Sequence, residues 1–162
     1  MDGYSQFYRA NRDRLYAYLL RMTGDRHVAV DLVQESFTRY LARYGGQAAN
    51  RSLLYTIARN AALDTLRKLR MQPVAIDDPP APQENPEQLV IEQQRVTRML
   101  AAIGRLPPPD RELISLVASG DLTYREIGGI LNISEANVKV RVHRARTRLR
   151  EILASGECEW TT

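Results

Sequence analysis

Residues 71–87 interrupt the chain with five prolines and no basic side chain, in the stretch MQPVAIDDPPAPQENPE. Proline lacks a backbone donor and breaks helices and central strands, and neighbouring carboxylates repel one another. Neither a long helix nor a central strand can therefore pass through this stretch. We predict a flexible, acidic linker at 71–87 that joins two small domains, 1–70 and 88–162.

Apolar residues on both sides of this linker recur every three to four positions, which is the spacing of one helix face. Glycines, prolines and short polar stretches separate the periodic segments. No segment alternates with a period of two for long enough to indicate a strand, so the predicted fold class is all-α. The predicted helices cover residues 4–22, 27–44, 51–70, 88–105, 110–118, 124–131 and a last segment that begins at Glu135.

The same spacing predicts which side of each N-terminal helix is buried. For the second helix the predicted stripe is Val30, Val33, Phe37, Leu41 and Tyr44. For the third helix it is Leu54, Ile57, Ala58, Ala61, Thr65 and Leu69. The residues that project away from the third stripe are Thr56, Arg59, Asn60, Leu63, Arg67 and Arg70. This basic, amide-bearing face beside a glycine-containing loop suits a melted DNA strand, through phosphate contacts and base stacking.

Helix signals near the C-terminus predict a helix-turn-helix. Thr123 followed three residues later by Glu126 is a capping box, so a helix should begin at Tyr124. Asn132 can adopt the left-handed conformation that ends a helix, and Ser134 is a good cap for the next one. A helix, short turn and second helix is the unit that places its second helix in the DNA major groove.

The last helix carries six basic residues and no acidic one between Val138 and Arg150. A merely solvated helix usually mixes both charge signs, because oppositely charged pairs one turn apart stabilise it. Its basic edges suit phosphates, and Asn137, Lys139 and Arg144 can reach base edges. An ordinary cationic helix at a chain end is the alternative interpretation.

This helix also has an apolar stripe, formed by Val138, Val142, Ala145, Leu149 and Ile152. We expect the stripe to pack on the preceding helix and turn, at Ile127, Leu131 and Ile133. One side of the last helix is then core, and the opposite side is free to contact DNA.

The charges are distributed unevenly along the chain. Residues 1–72 carry 12 Lys and Arg against 6 Asp and Glu, and residues 95–162 carry 11 against 8. Two basic blocks thus flank the acidic linker. This arrangement favours a polyanionic partner, although it also fits a solvated surface.

The composition argues against other functions. Cys158 is the single cysteine, so neither an intrachain disulfide nor a multi-cysteine metal site can form, and no cofactor is expected. No signal peptide or long apolar segment is evident, so we expect a cytoplasmic protein without direct membrane insertion. No phosphate loop or nucleophile elbow appears, and Asp31 and Glu35 have no histidine at ligand spacing, so no enzyme is expected.

Two C-terminal stretches, LPPPDRELISLV and LTYREIGGILNISEANVKVRVHRARTRLRE, resemble the promoter-reading domain of bacterial extracytoplasmic-function (ECF) sigma factors. In the N-terminal part, AVDLVQESFTRYLARY and LLYTIARNAALDTLRK resemble that family's polymerase-binding and minus-10-element segments. The resemblance covers almost the whole chain in the family's order. It implies an alternative sigma factor that binds the β′ and β subunits of core RNA polymerase, directs it to promoter DNA, and pairs with an anti-sigma factor.

The resemblance also implies roles for particular residues. Asp31, Gln34 and Glu35 fall in the family's DxxQE segment, which docks on the coiled coil of the β′ subunit. The implied minus-10 DNA contacts are Tyr44 and Asn60, and Asn60 matches a residue that helps to hold an extruded base. Arg59 and Arg67 join the predicted minus-10 contacts because they lie on the basic face of the third helix. Lys139 and Arg144 match recognition-helix positions that contact the minus-35 element. The predicted minus-35 contacts also include Asn137, Val140, Arg141 and Arg148, from their place on the same helix.

The sequence departs from the family pattern at three positions. Leu53 replaces a usual tryptophan, Asn137 a usual threonine and Val140 a usual serine. The first is expected to alter packing. The other two leave the preferred minus-35 sequence open.

The alternative function is a stand-alone helix-turn-helix regulator whose N-terminal bundle dimerises or binds a ligand. Such a regulator needs paired helix-turn-helix units at a fixed spacing. A flexible proline-containing linker instead suits two DNA-reading domains that bind at separate places on polymerase. No role is predicted for the tail residues Cys158 and Trp160.

Overall fold

The computed structural model describes residues 3–46, 49–70 and 87–159. These residues form seven α-helices and no strand, which confirms the predicted all-α fold class. The helices are α1 (Gly3–Thr23), α2 (Arg26–Tyr44), α3 (Arg51–Arg70), α4 (Glu87–Gly104), α5 (Pro108–Ala118), α6 (Tyr124–Leu131) and α7 (Glu135–Glu159).

The predicted boundaries are close to these, with α5 the clearest difference. It begins at Pro108 rather than Asp110, because prolines fit the first turn of a helix, where a backbone donor has no partner to lose. The linker from residue 71 to 86, the Cys158 side chain and Trp160 lie outside the described residues.

Helices α1, α2 and α3 form a bundle around large aromatic side chains. Tyr18 of α1, Tyr40 of α2 and Tyr55 of α3 are each fully buried. The Tyr18 and Tyr55 rings meet edge to face with centroids 5.3 Å apart, a favourable aromatic geometry. The Asp25 carboxylate caps α2 by accepting hydrogen bonds of 2.8 and 3.1 Å from two backbone N–H groups in its first turn.

The predicted stripe of α2 is wrong at two of its five positions. Val30 and Leu41 are 56% and 42% exposed. The buried face is rotated toward the small residues Ala29 and Ser36, because α2 packs between two helices and small side chains allow close approach. On α3, Leu69 is also exposed, since it lies in the last turn beyond the packed part of the bundle.

The helix-turn-helix forms as the capping signals predict. The Thr123 hydroxyl accepts from the Glu126 N–H at 3.1 Å, and the Glu126 carboxylate accepts from the Thr123 N–H at 3.0 Å, which completes the capping box. Asn132 ends α6 with φ of 58°, in the left-handed region. The Ile133 N–H then donates to the Gly128 carbonyl at 2.9 Å and closes the turn.

The apolar stripe of α7 packs on two different partners. Val138 and Val142 are buried in the same cluster as Ile127, as predicted. Ala145 instead joins a second cluster with residues of α4 and α5, against which Leu149 and Ile152 also pack. The prediction that the whole stripe packs on α6 is therefore wrong for its second half, because an eight-residue helix is only about 12 Å long and α7 extends past it.

The N-terminal bundle and the C-terminal helices share one apolar core. Leu113 and Leu116 of α5 are 1% and 0% exposed and belong to the cluster that contains Leu15 and Leu54 of the bundle. Contacts also join α3 to α6 and α1 to α4. The core thus fixes α6 and α7 relative to α3.

We predict opposite effects of alanine at two adjacent glycines of α6. A Cβ at Gly128 would lie 2.6 Å from the Ile133 carbonyl oxygen, whereas a Cβ at Gly129 meets open space. Gly128→Ala should therefore lower the free energy of unfolding by about 1–3 kcal/mol, since the turn backbone has to move. Gly129→Ala, the matched control, should raise the free energy of unfolding by about 0.5–1 kcal/mol, because alanine lowers the conformational entropy of the unfolded chain. Urea denaturation measures both, and similar values for the two variants would contradict the described turn.

The Glu126 carboxylate predicts a pH-dependent contribution to stability. The Thr123 backbone N–H holds the pKa of Glu126 below its usual range, the Ser52 hydroxyl adds to this effect, and partial burial opposes it. Because the folded pKa is lowered, the stabilisation is complete above the ordinary carboxyl pKa of about 4.3 and is lost as the pH falls through the lower folded value.

Comparison with Glu126→Gln isolates this contribution, because glutamine keeps the capping geometry without the charge. The wild-type chain should have the higher Tm at neutral pH, and the difference should shrink in melts below about pH 4. A difference in Tm that stays constant between pH 7 and pH 3 would contradict the assignment.

Candidate nucleic-acid and polymerase interface

The outward side of α7 is a cationic surface opposite a buried stripe. The Ser134 hydroxyl accepts from the Asn137 N–H at 3.1 Å and fixes the start of the helix. Val138 and Val142 then hold one side against the core. The predicted minus-35 contacts all lie on the exposed side: Asn137, Lys139, Val140, Arg141, Arg144 and Arg148. The helix therefore presents hydrogen-bonding, cationic and apolar groups to solvent together.

Arg148 differs from the other cations of this surface. Its guanidinium forms an ion pair with Asp110 at the start of α5. Arg141 and Arg144 make no ion pair with any described residue. Arg148 therefore anchors α7 to α5, and any phosphate contact it makes is shared with a carboxylate. Sequence reasoning missed this pair because Asp110 lies 38 positions away.

Val140 contributes an apolar group to the same surface. Its side chain is 50% exposed, next to Lys139 and Arg141. The thymine methyl group is the apolar feature that the major groove offers to such a side chain. The departure from the usual serine thus places an exposed apolar side chain here instead of a hydrogen-bonding one.

A small open cleft lies between the C-terminal half of α2 and the middle of α3. Asn60 is exposed and lines this cleft, which has a volume of about 440 Å³, together with Arg39 and Arg43. The Arg43 guanidinium also lies 5.5 Å from the centroid of the Tyr44 ring. Gly45, with φ of 73°, ends α2 directly after this tyrosine. An amide, two guanidiniums and an aromatic ring therefore meet at one edge of the bundle.

Arg39 and Arg43 were missed by sequence reasoning. They lie four residues apart on α2, which places them on the same side of the helix. That spacing could have identified them. Arg39 forms an ion pair with Glu35, one turn earlier.

Arg59 does not face this cleft. Its Nε atom lies 3.1 Å from the Glu112 Oε1 atom of α5, and its side chain is only 24% exposed. One residue rotates a helix by about 100°, so Arg59 points toward the C-terminal helices while Asn60 points to solvent. The prediction that Arg59 and Asn60 share an open DNA-binding face is therefore not matched by this geometry.

Arg67 is exposed and lines a second cleft, of about 610 Å³, between the N-terminal bundle and the α4–α5 turn. Leu66 and Leu106 contribute to its apolar walls, and Arg70 and Arg111 to its polar rim. The structure thus separates Arg67 from the cleft that Asn60 lines.

The predicted polymerase-binding residues lie together on the outer side of α2. Asp31, Gln34 and Glu35 are all exposed. Val30, 56% exposed, adds an apolar group to the acidic surface. Acidic, amide and apolar groups are therefore exposed together on one face of α2.

No cluster of three His, Cys, Asp or Glu side chains that could hold a metal ion occurs in the described part of the chain. Within the same residues, no helix is both long and apolar enough to span a bilayer.

Two family models match the chain, one on each side of the linker. Sigma-70 region 2 matches residues 7–71, and sigma-70 region 4 matches residues 97–149. The first range covers the bundle with its Asn60 cleft. The second covers the helix-turn-helix with its cationic surface.

Curated relatives match along most of the chain. The ECF RNA polymerase sigma factor SigM of Bacillus subtilis is 33% identical over 93% of this chain and 95% of its own length. SigW of the same organism is 31% identical over 94% and 89%. SigE of Mycolicibacterium smegmatis is 32% identical over 98% of this chain, which spans 65% of SigE.

Solved structures share the fold. The sigma factor RpoE of Bartonella quintana, crystallised with the anti-sigma factor NepR, superimposes with a TM-score of 0.71 at 23% identity, over 93% of this chain and 96% of RpoE. CnrH in complex with the cytosolic domain of CnrY gives a TM-score of 0.68 at 21% identity, over 94% and 88%. The chain matches both sigma-70 regions in order and is more than 30% identical to relatives along nearly their whole length. It therefore belongs to the ECF RNA polymerase sigma factors and is an alternative sigma factor that directs RNA polymerase.

Proposed function

We propose that this sigma factor divides promoter recognition between two surfaces and binds core polymerase through a third. The outward face of α7 reads the minus-35 element. The observation that carries this assignment is that Lys139, Arg141 and Arg144 are exposed on a helix whose other side is buried in the core. None of the three pairs with a carboxylate of the described residues. Cations of this kind contact phosphates, and arginine can also bind guanine through two hydrogen bonds.

The cleft beside α3 receives the minus-10 element after melting. Tyr44 offers a ring for base stacking, and Asn60 offers an amide that can pair with the edge of an extruded base. Arg39 and Arg43 line the same cleft and supply cations for the strand backbone. Arg67, exposed one cleft further along α3, extends this path. Arg59 can contact the strand only when its ion pair with Glu112 is broken.

The outer face of α2 binds the polymerase β′ subunit through Asp31, Gln34 and Glu35, and the helix-turn-helix domain contacts the β subunit. Residues 1–70 and 88–162 act as separate domains in the polymerase complex, joined by a linker at 71–87. The protein acts in the cytoplasm as an initiation factor and catalyses no reaction itself. Because RpoE was solved with the anti-sigma factor NepR, and CnrH with the cytosolic domain of CnrY, an anti-sigma factor is proposed for this chain as well.

Charge reversal on α2 tests polymerase binding. Asp31→Lys should weaken the affinity for core polymerase about tenfold, because it places a cation where the partner meets an acidic surface. Asp13→Lys is the matched control, since Asp13 lies on α1 with a side chain that is 90% exposed. Biolayer interferometry with immobilised core polymerase measures both. Equal affinities for the two variants would exclude the α2 surface as the docking site.

Two arginines of α7 separate base reading from backbone contact. Arg144→Ala should cost about 1–3 kcal/mol and relax the preference at one base pair of the minus-35 element, since arginine donates two hydrogen bonds to guanine. Arg148→Ala should weaken all sequences alike and more modestly, because Asp110 already shares that cation.

The measurement is holoenzyme binding to a promoter selected from a random library and to its single-base variants, at two salt concentrations. If both alanine variants gave the same profile across the panel, α7 would be an electrostatic clamp and not a sequence reader.

A further inference from the structure

Tyr40 of α2 contacts both helices that form the cleft lined by Asn60. Its side chain is fully buried in the bundle. Its ring stacks on the Phe7 ring, with centroids 5.1 Å apart, and lies 5.4 Å from the Tyr44 ring one turn further along α2. Its hydroxyl accepts a hydrogen bond of 3.0 Å from the Asn50 backbone N–H, directly before α3. One side chain therefore connects the end of α2 to the start of α3.

Asn50 determines where α3 begins. Its carbonyl oxygen accepts from the Leu54 N–H at 3.2 Å, and its side-chain oxygen accepts from the Leu53 N–H at 3.3 Å. These are the hydrogen bonds of a helix N-cap. Because α3 is one continuous helix, holding its start also fixes the direction in which Asn60 projects. The Tyr40 hydroxyl thus acts on Asn60 through the N-cap of α3.

The hydrogen bond to Asn50 is not required to satisfy a buried group. Asn50 is exposed, so water can replace Tyr40 as the partner of its N–H. The bundle also tolerates an unpaired tyrosine hydroxyl, since Tyr18 is fully buried and its hydroxyl has no hydrogen-bond partner among the described residues. Phenylalanine would fill the same space without the oxygen. The contribution of the Tyr40 hydroxyl is therefore the position that it gives to α3.

Base selection by the cleft requires a fixed separation between Tyr44 and Asn60. A ring accepts any base for stacking, because every base has a π-face. An amide distinguishes bases only when it meets the base edge at a hydrogen-bond distance of about 2.7–3.2 Å. The ring and the amide belong to different helices, so their separation depends on how α2 and α3 are held together. A shift of about 1 Å is enough to lose the amide contact while stacking persists.

We propose that Tyr40 is a positioning residue of the minus-10 site, whose ring supports Tyr44 and whose hydroxyl sets the start of α3. Asn60 then meets the edge of a base that is stacked on Tyr44. Tyr40 does not touch DNA itself, because it is fully buried. This inference rests on the proposed minus-10 role of Tyr44 and Asn60. Base selection, as distinct from strand binding, then depends on the hydrogen bond between Tyr40 and Asn50.

The test compares two variants that each lose one buried hydroxyl. Tyr40→Phe removes the hydroxyl that accepts from Asn50, and Tyr18→Phe is the matched control, because it removes a hydroxyl without a partner. Each variant is assembled with core polymerase on a promoter selected from a random library, in which mismatches already unpair the minus-10 segment. Fluorescence anisotropy measures the affinity for this promoter and for each single-base change in the unpaired strand. Circular dichroism verifies that each variant is folded at the assay temperature.

The discrimination ratio is the affinity for the selected base divided by the mean affinity for the other three. Tyr40→Phe should lower this ratio at one minus-10 position by roughly fivefold, the equivalent of one hydrogen bond, and leave the affinity for the other bases unchanged. Tyr18→Phe should keep the full ratio. In the free chain, amide hydrogen exchange measured by NMR should be faster at Asn50 in Tyr40→Phe alone, because that N–H has lost its partner. Equal discrimination, or equal exchange at Asn50, in the two variants would overturn the proposal.

A double variant separates positioning from a general loosening of the bundle. If Tyr40 acts through Asn60, Tyr40→Phe should cause no further loss of discrimination in an Asn60→Ala background. Additive losses would contradict the proposal, since they would place the effect of Tyr40 elsewhere.

The Asn60→Ala variant alone tests the proposed function. If it keeps the full discrimination ratio, the minus-10 role of Asn60 is wrong, and the positioning role of Tyr40 falls with it. If Asn60→Ala loses discrimination while Tyr40→Phe keeps it, only the positioning role is wrong.

Discussion

Burial of α5 between the bundle and the helix-turn-helix determines where every other surface of this protein lies. Leu113 and Leu116 are almost completely buried in a core that also contains residues of α1 and α3 on one side and Ile127 and Val142 on the other. Burying a leucine side chain stabilises a fold by about 1.5–3 kcal/mol. Because both parts contribute to one core, the position of α7 follows from the position of α5.

The apolar contacts of α5 and the ion pairs around them respond differently to salt. Apolar burial does not depend on salt screening and favours closure under all ordinary conditions. The surrounding ion pairs of Glu112 and Asp121 are partly exposed, so their strength falls with salt and with competition from phosphates. Phosphates that reached Arg14, Arg51 and Arg59 would therefore weaken the polar part of the interface and leave its apolar part intact.

Local signals in the sequence predicted local structure well. The all-α class, the capping box at Thr123 and the left-handed turn at Asn132 depend on residues within a few positions of one another. The exposed side of α7 was also predicted, because its buried stripe and its basic edges follow directly from helix periodicity. The site residues that stand alone on exposed faces, such as Asn60 and Arg144, were accessible to the same reasoning.

Features that depend on distant packing were not predictable in the same way. The stripe of α2 was misplaced at Val30 because α2 has apolar residues on several sides and only its neighbours decide which are covered. The pairing of Arg59 with Glu112 joins residues 53 positions apart across the linker. Nothing in the periodicity of α3 distinguishes an arginine that faces solvent from one that faces another helix.

We expect the core that the two parts share to be present in the free chain and to separate when the protein binds polymerase at a promoter. The most direct measurement is the distance between labels at Ala10→Cys and Ala154→Cys in the Cys158→Ser background, first in the free protein and then in a complex with core polymerase and promoter DNA. We expect a short distance in the free protein and an increase of tens of ångströms in the complex, because promoter elements separated by roughly 25 base pairs lie about 85 Å apart along B-form DNA. A distance that is the same in both states would contradict it.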